Sequence, residues 1–146
     1  MNLVLDTNIV ISGLITPKGK ISKLVFKDLS NSNLICPSFL FEEVRTKFEK
    51  IESITGLTNS QLNELIHRFY KNLELVEDDL IDFKFQKVAY HLVADIDKKD
   101  LLFVALSLQT GYPLWTGDKK LLKGLQKKGY KKVLSTDDLV KKLDQK

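Results

Sequence analysis

Apolar residues fall along this chain in two alternating rhythms: short solid runs, and longer stretches spaced by threes and fours. The first run is Leu3-Val4-Leu5, followed by Asp6-Thr7-Asn8 and then Ile9, Val10, Ile11 and Leu14. A short solid run reads as a buried strand and spaced positions read as a helix, so residues 1–14 predict a strand, a turn and the start of a helix. Strands covered on both faces usually belong to a parallel sheet flanked by helices. In such sheets the working crevice lies beyond the carboxyl ends of the strands, which is where Asp6 falls.

The two rhythms continue. Residues 16–20 predict a turn, and Ile21, Leu24, Val25 and Leu29 predict a helix that Asn31-Ser32-Asn33 breaks. Leu34-Ile35-Cys36 predicts a second strand, stopped at Pro37. Ser38 is a good N-cap, and Leu40, Val44, Phe48 and Ile51 predict one helix ending by Gly56. At about 100° per residue, Glu42 points almost opposite that stripe. Glu43 lies on its flank, where it can reach the sheet edge and still touch water. Thr58-Asn59-Ser60 opens a helix carrying Leu62, Leu65, Ile66, Phe69 and Leu73, and residues 73–76 predict a strand. Residues 78–85 are ambiguous, with a helix over Phe85 to Val93. Leu101 to Leu108 is apolar on nearly every side, which suits a central, covered helix, and Gly111 is its C-cap signal. Residues 113–116 predict a strand, Gly117 a turn, and Asp118 the opening of a helix that Gly129 closes. Residues 132–135 predict a last strand, and Thr136 caps a terminal helix through Leu143.

Strands alternate with helices throughout. The expectation is one domain over residues 1–146, a three-layer α/β/α sandwich with a central parallel sheet of about five strands. A chain of 146 residues can bury a core without staples. The lone Cys36 excludes an internal disulfide and reads as a small buried hydrophobe. No stretch approaches the ~20 apolar residues of a membrane span, and no positive segment precedes an apolar block at the start. A cytoplasmic protein without membrane contact is expected.

Chemistry enters with the acids. Asp6, Asp100 and Asp118 fall at strand-to-helix turns or helix starts, Glu43 on a helix flank, and Asp97 one turn before Asp100. A parallel sheet puts those turns on one side of the molecule. Converging carboxylates repel unless a cation sits between them, and hard oxygen ligands in that number suit Mg²⁺ or Mn²⁺. Such a centre can activate water for in-line attack on a phosphodiester with no histidine or serine nucleophile. The competing reading is structural. Asp is among the best N-caps, and Asp6, Asp97 and Asp118 stand where caps would stand, with Asp100 favoured by the helix dipole.

The charge is +4, from 23 Lys and Arg against 19 Asp and Glu, and Arg45 and Arg68 are the only arginines. Lysines are mobile point charges suited to phosphate contacts. Lys98, Lys99, Lys119 and Lys120 flank the acids and are candidates to hold a phosphate backbone; solvated helix-start lysines are the alternative. Phe39, Phe41, Phe69, Phe103 and Trp115 read as core rather than as stacking platforms.

Four segments taken together resemble the PIN domain family: Leu5-Asp6-Thr7-Asn8; Glu43-Val44 after Pro37-Ser38; Asp97-Lys98-Lys99-Asp100; and Thr116-Gly117-Asp118-Lys119-Lys120. The opening residues resemble the branch described as toxins of toxin–antitoxin pairs, and the similarity runs from Asn2 to about Leu139. The resemblance implies a metal-dependent endoribonuclease. Asp6, Glu43, Asp100 and Asp118 match the family's catalytic, metal-binding acids, and Asp97 matches an accessory metal-site acid. Asn8 and Thr116 match polar residues that orient those acids or touch phosphate. It also implies Mg²⁺ or Mn²⁺ as cofactor, RNA as substrate, a small antitoxin protein as partner and a homodimer. Alternatives kept open are a DNA or structure-specific nuclease, a phospho-acceptor regulator, and a module that binds nucleic acid or a partner without cutting. The regulator lacks its acid pair, because Asp6 is followed by Thr7 and Asn8.

Overall fold

The computed structural model describes residues 1–145. Five strands occur among them: β1 (Asn2–Leu5), β2 (Asn33–Pro37), β3 (Glu74–Val76), β4 (Leu114–Trp115) and β5 (Val133–Leu134). They form one all-parallel sheet in the order β3-β2-β1-β4-β5. Leu3, Val4 and Leu5 are fully buried, which is why an unbroken apolar run lies at the sheet's centre. On one side Val4 pairs with Ile35; on the other Val4 pairs with Leu114 and Leu5 with Trp115. The chain adds strands outward from β1 in one direction, then returns to add β4 and β5 in the other. The β1/β4 boundary is therefore the topological switch point, where open parallel sheets place their ligands.

The first two crossovers carry α1 (Thr7–Ile15), α2 (Lys20–Lys23), α3 (Phe39–Thr46), α4 (Phe48–Thr55) and α5 (Asn59–Tyr70). The later ones carry α6 (Phe83–Val93), α7 (Leu101–Thr110) and α8 (Lys119–Lys127), and α9 (Thr136–Asp144) follows β5. Right-handed crossovers in opposite directions put these two groups on opposite faces, giving the α/β/α sandwich. In the first layer α1 packs against α2, α3, α4 and α5; in the second α7 packs against β1, β2 and β4, with α6 against it. Phe103 to Ser107 of α7 are buried without a break, as expected of a helix covered on both sides. Gly111 ends it at φ 76°, in the left-handed region that favours glycine.

Several elements differ from expectation. The helix expected at residues 21–29 is α2 followed by a π-helical turn, Leu24–Asp28. That wider turn keeps Leu24, Val25 and Leu29 buried while Phe26 meets Phe69 edge-on, ring centroids 4.9 Å apart. The single helix expected after Ser38 is broken at Lys47 into α3 and α4; a one-residue break leaves the apolar spacing intact and so has no signature in the pattern. Ser38 does not cap α3. Asp78 supplies the cap, its Oδ1 accepting from the Phe39 amide at 3.0 Å, while Ser38 Oγ accepts from the Asp78 amide at 3.1 Å. Helix α6 starts two residues before the expected Phe85, capped by Asp82. The cap of α9 is Ser135, in a capping box with Asp138, not Thr136; Thr136 Oγ1 instead accepts from the buried Trp115 indole at 3.0 Å.

Candidate active site

Asp6 follows the last residue of β1, and its amide donates to the Trp115 carbonyl of β4 at 3.0 Å. Extending the Leu5–Trp115 register by one residue brings Thr116 beside Asp6. Thr116 Oγ1 donates to Asp6 Oδ2 at 2.7 Å and accepts from the Asp118 amide at 3.1 Å. Asn8 Nδ2 donates to Asp6 Oδ2 at 3.2 Å, and Asn8 Oδ1 accepts from the Gly117 amide at 2.9 Å. Residues over a hundred positions apart thus hold Asp6 in one rotamer. It stands at the N-cap position of α1 but makes no side-chain cap bond, so capping does not account for it.

Glu43 enters from the flank of α3, half-buried, and its Oε1 accepts from Thr7 Oγ1 at 2.6 Å. Glu42, next door, is exposed and paired with Arg45 at 2.7 Å. Asp100 stands at the N-cap position of α7, also without a side-chain cap bond. Asp97 and Asp118 do cap: Asp97 Oδ1 accepts from the Lys99 amide at 3.0 Å, and Asp118 Oδ1 accepts from the Lys120 and Leu121 amides at 2.9 and 3.2 Å. The capping reading therefore holds for Asp97 and Asp118 and fails for Asp6, while Asp100, third in the short turn that Asp97 caps, stands where a helix dipole favours an acid.

Asp6, Glu43, Asp97, Asp100 and Asp118 all line one cavity of about 570 Å³, with Asn8, Lys47 and Lys99 among the other lining residues. Lys119 lines a neighbouring cavity instead, and Lys98 and Lys120, both exposed, line neither. Two residues here went unremarked in the sequence. Thr7 sits inside the Asp-Thr-Asn motif, but nothing local says that its hydroxyl reaches residue 43. Lys47 occupies the helix break that the apolar spacing conceals.

The electrostatics are those of crowded, half-dry carboxylates. Burial pushes Asp6 up to about 6, opposed by the donors Thr116 and the Thr7 amide, with Glu43 and Asp118 adding repulsion. Asp100 is pushed up to about 8, first by burial and then by the charges of Asp6, Asp97, Asp118 and Glu43. Burial also raises Glu43, against the Thr7 hydrogen bond. Asp100 Oδ2 is buried with no hydrogen-bond partner, and an orphaned carboxylate oxygen among several nearby acids suits a hard cation. Among the described residues no three acid, His or Cys side chains are already gathered as a metal-holding cluster. Mg²⁺ does not require one, since it is commonly held by one or two carboxylates plus waters and substrate phosphate. The donor set is all oxygen and fits such an ion.

With that geometry in view, the chain matches the family model described as PIN domain over residues 4–138. It belongs to the PIN domain family, whose members are nucleases. No curated protein matches it. Among solved structures it is similar to VapBC2 from Rickettsia felis bound to a DNA fragment from their promoter, at 14% identity and TM-score 0.67, covering 92% of this chain and 97% of that one. It is similar to PAE2754 from Pyrobaculum aerophilum at 15% identity and TM-score 0.65, covering 100% and 91%. A toxin–antitoxin complex from Klebsiella pneumoniae matches at 14% identity and TM-score 0.62, covering 92% and 97%. At such identities the likeness is one of fold.

Proposed function

We propose that the protein is an Mg²⁺- or Mn²⁺-dependent endoribonuclease, with Asp6, Glu43, Asp100 and Asp118 as its catalytic acids and Asp97 as an accessory. The observation that carries this reading is the shared cavity, in which the buried Asp100 Oδ2 has no partner. Asp6 and Asp100 would hold the ion, as neither spends its carboxylate on a cap. Bound there, the cation supplies an activated water and charge neutralisation at phosphorus. Thr116 and Asn8 fix Asp6, Thr7 fixes Glu43, and Asp118, which also lines the cavity, keeps one oxygen on the α8 amides. Lys47 and Lys99 give the cavity rim positive charge for a phosphate backbone.

The similar structure described as a toxin–antitoxin complex supports a toxin neutralised by a small partner protein, and a homodimer fits the same reading. Among the described residues no helix is long and apolar enough to cross a membrane; a cytoplasmic setting is part of the proposal. RNA cleavage in Mn²⁺ by the wild type, lost in EDTA and in Asp6→Asn, is the expected result. Cleavage that survives either treatment removes the proposal. Matched RNA and DNA oligonucleotides decide the substrate.

A further inference from the structure

A second cavity, of about 410 Å³, lies against the first, and Asp118 lines both. Its floor includes Thr116 and Gly117, the turn that also fixes Asp6 through Asn8. Ser12 of α1, Ile21 of α2 and Leu122 of α8 line it, together with two cations, Lys20 and Lys119. The volume falls within the range of small-molecule sites, roughly 300–1,000 Å³. None of the proposed catalytic acids but Asp118 reaches it, so the cut itself leaves this cleft unused.

We infer that this cleft seats the nucleotide next to the scissile phosphate on a single strand of RNA, with Lys20 and Lys119 holding its phosphate. The inference rests on the nuclease reading and extends it to a substrate track. One strand lying across Asp118 would have Lys47 and Lys99 on one side of the cut and Lys20 and Lys119 on the other. The sugar and base would lie against Ile21 and Leu122. No lining residue is aromatic, so the seat offers no stacking platform and its grip falls on the backbone. Lys20 is free to make that contact. Its ammonium pairs with Asp137 at 3.4 Å, and the side chains are 61% and 79% exposed. Such exposed pairs contribute little, so a phosphate can replace the carboxylate at small cost. Asp137, also lining the cleft, opposes the phosphate and sets the affinity below its maximum.

Two measurements test this. The first is steady-state cleavage of a long single-stranded RNA and of a dinucleotide by wild type, Lys20→Glu and Asp137→Asn, each checked for its melting temperature. Lys20→Glu raises KM for the long strand about five- to tenfold with kcat within twofold, as loss of a phosphate contact requires. Asp137→Asn lowers that KM, and neither change alters KM for the dinucleotide, whose single phosphate is the scissile one and which has no further phosphate for Lys20 to hold. Equal KM values across the three proteins overturn the cleft. The second is amide NMR of Asp6→Asn titrated with hexauridylate. Shifts at Ser12, Gly19 and Leu122 support the cleft even if wild type proves unable to cut, in which case the nuclease reading fails and the cleft stands. Shifts confined to the acid cavity, or none anywhere, overturn it.

Discussion

Thr7 Oγ1 lies 2.6 Å from Glu43 Oε1, donating across 36 positions of sequence from the first turn of α1 to the flank of α3. Thr7 is buried and Glu43 half-buried. The bond does two things: it selects one rotamer of Glu43, and it offsets part of the burial that raises the Glu43 carboxyl. Its partner in effect is the Thr116–Asp6 bond at 2.7 Å. Asp6 and Glu43 are thus each aimed by a threonine.

Thr7→Val keeps the shape and removes the donor. Stability should fall by about 1 kcal/mol, and metal-dependent cleavage by more than that, since Glu43 loses its aim. Thr7→Ser, which keeps the donor, should recover most of the activity. Thermal melts and initial rates of the three proteins check this. In the same assay Glu43→Gln should impair cleavage strongly and Glu42→Gln weakly, because Glu42, though it also lines the cavity, is exposed and engaged with Arg45.

Asp100 is held against its own preference. Its Oδ2 is buried without a partner, and burial plus four neighbouring acids raise it to about 8. Asp100→Asn removes the penalised charge and adds an amide donor facing carboxylates. The expected outcome is a higher melting temperature than wild type in EDTA near pH ~8, with cleavage abolished. A melting temperature below wild type under those conditions contradicts this account of the site.

Stability without metal should depend on pH in the same sense. Asp6 at about 6 and Asp100 at about 8 both lie above the ordinary 3.8. The folded chain therefore retains protons that the unfolded chain releases. For raised carboxyls the folded state is favoured while they stay protonated, and that advantage is lost as pH rises through the folded values. Melting temperatures in EDTA should fall between about pH 5 and pH 8. Millimolar Mn²⁺ at the upper end should reverse the fall, because a cation binding only the folded state stabilises it by mass action.

Gly13 of α1 is a packing constraint. A Cβ there would stand 2.4 Å from Cζ of Phe69, a fully buried ring of α5. Gly13→Ala should gain about 1 kcal/mol in helix propensity and lose more than that to overpacking, so it should melt lower. Phe69→Leu combined with it should cost less than the sum of the single changes, which a double-mutant cycle on denaturant melts measures.

The sequence by itself determined the alternation of buried strands and helices, because apolar runs and three-four spacing are local consequences of the two backbone periods. Leu3-Val4-Leu5 announced a strand covered on both faces and residues 101–108 a central, covered helix, and Asp6 was legible as a strand-end acid. Helix breaks were not legible, since the apolar stripe passes through Lys47 unchanged. Nor was the cap of α3, which comes from Asp78 across the sheet. Tertiary structure decided which acids are free: Asp97 and Asp118 cap, while Asp6 and Asp100 do not. It also decided strand order, and through the β1–β4 register the contact of Asp6 with Thr116. Those outcomes depend on pairings between distant segments, and a side chain's partner across 110 positions leaves no mark on the residues beside it.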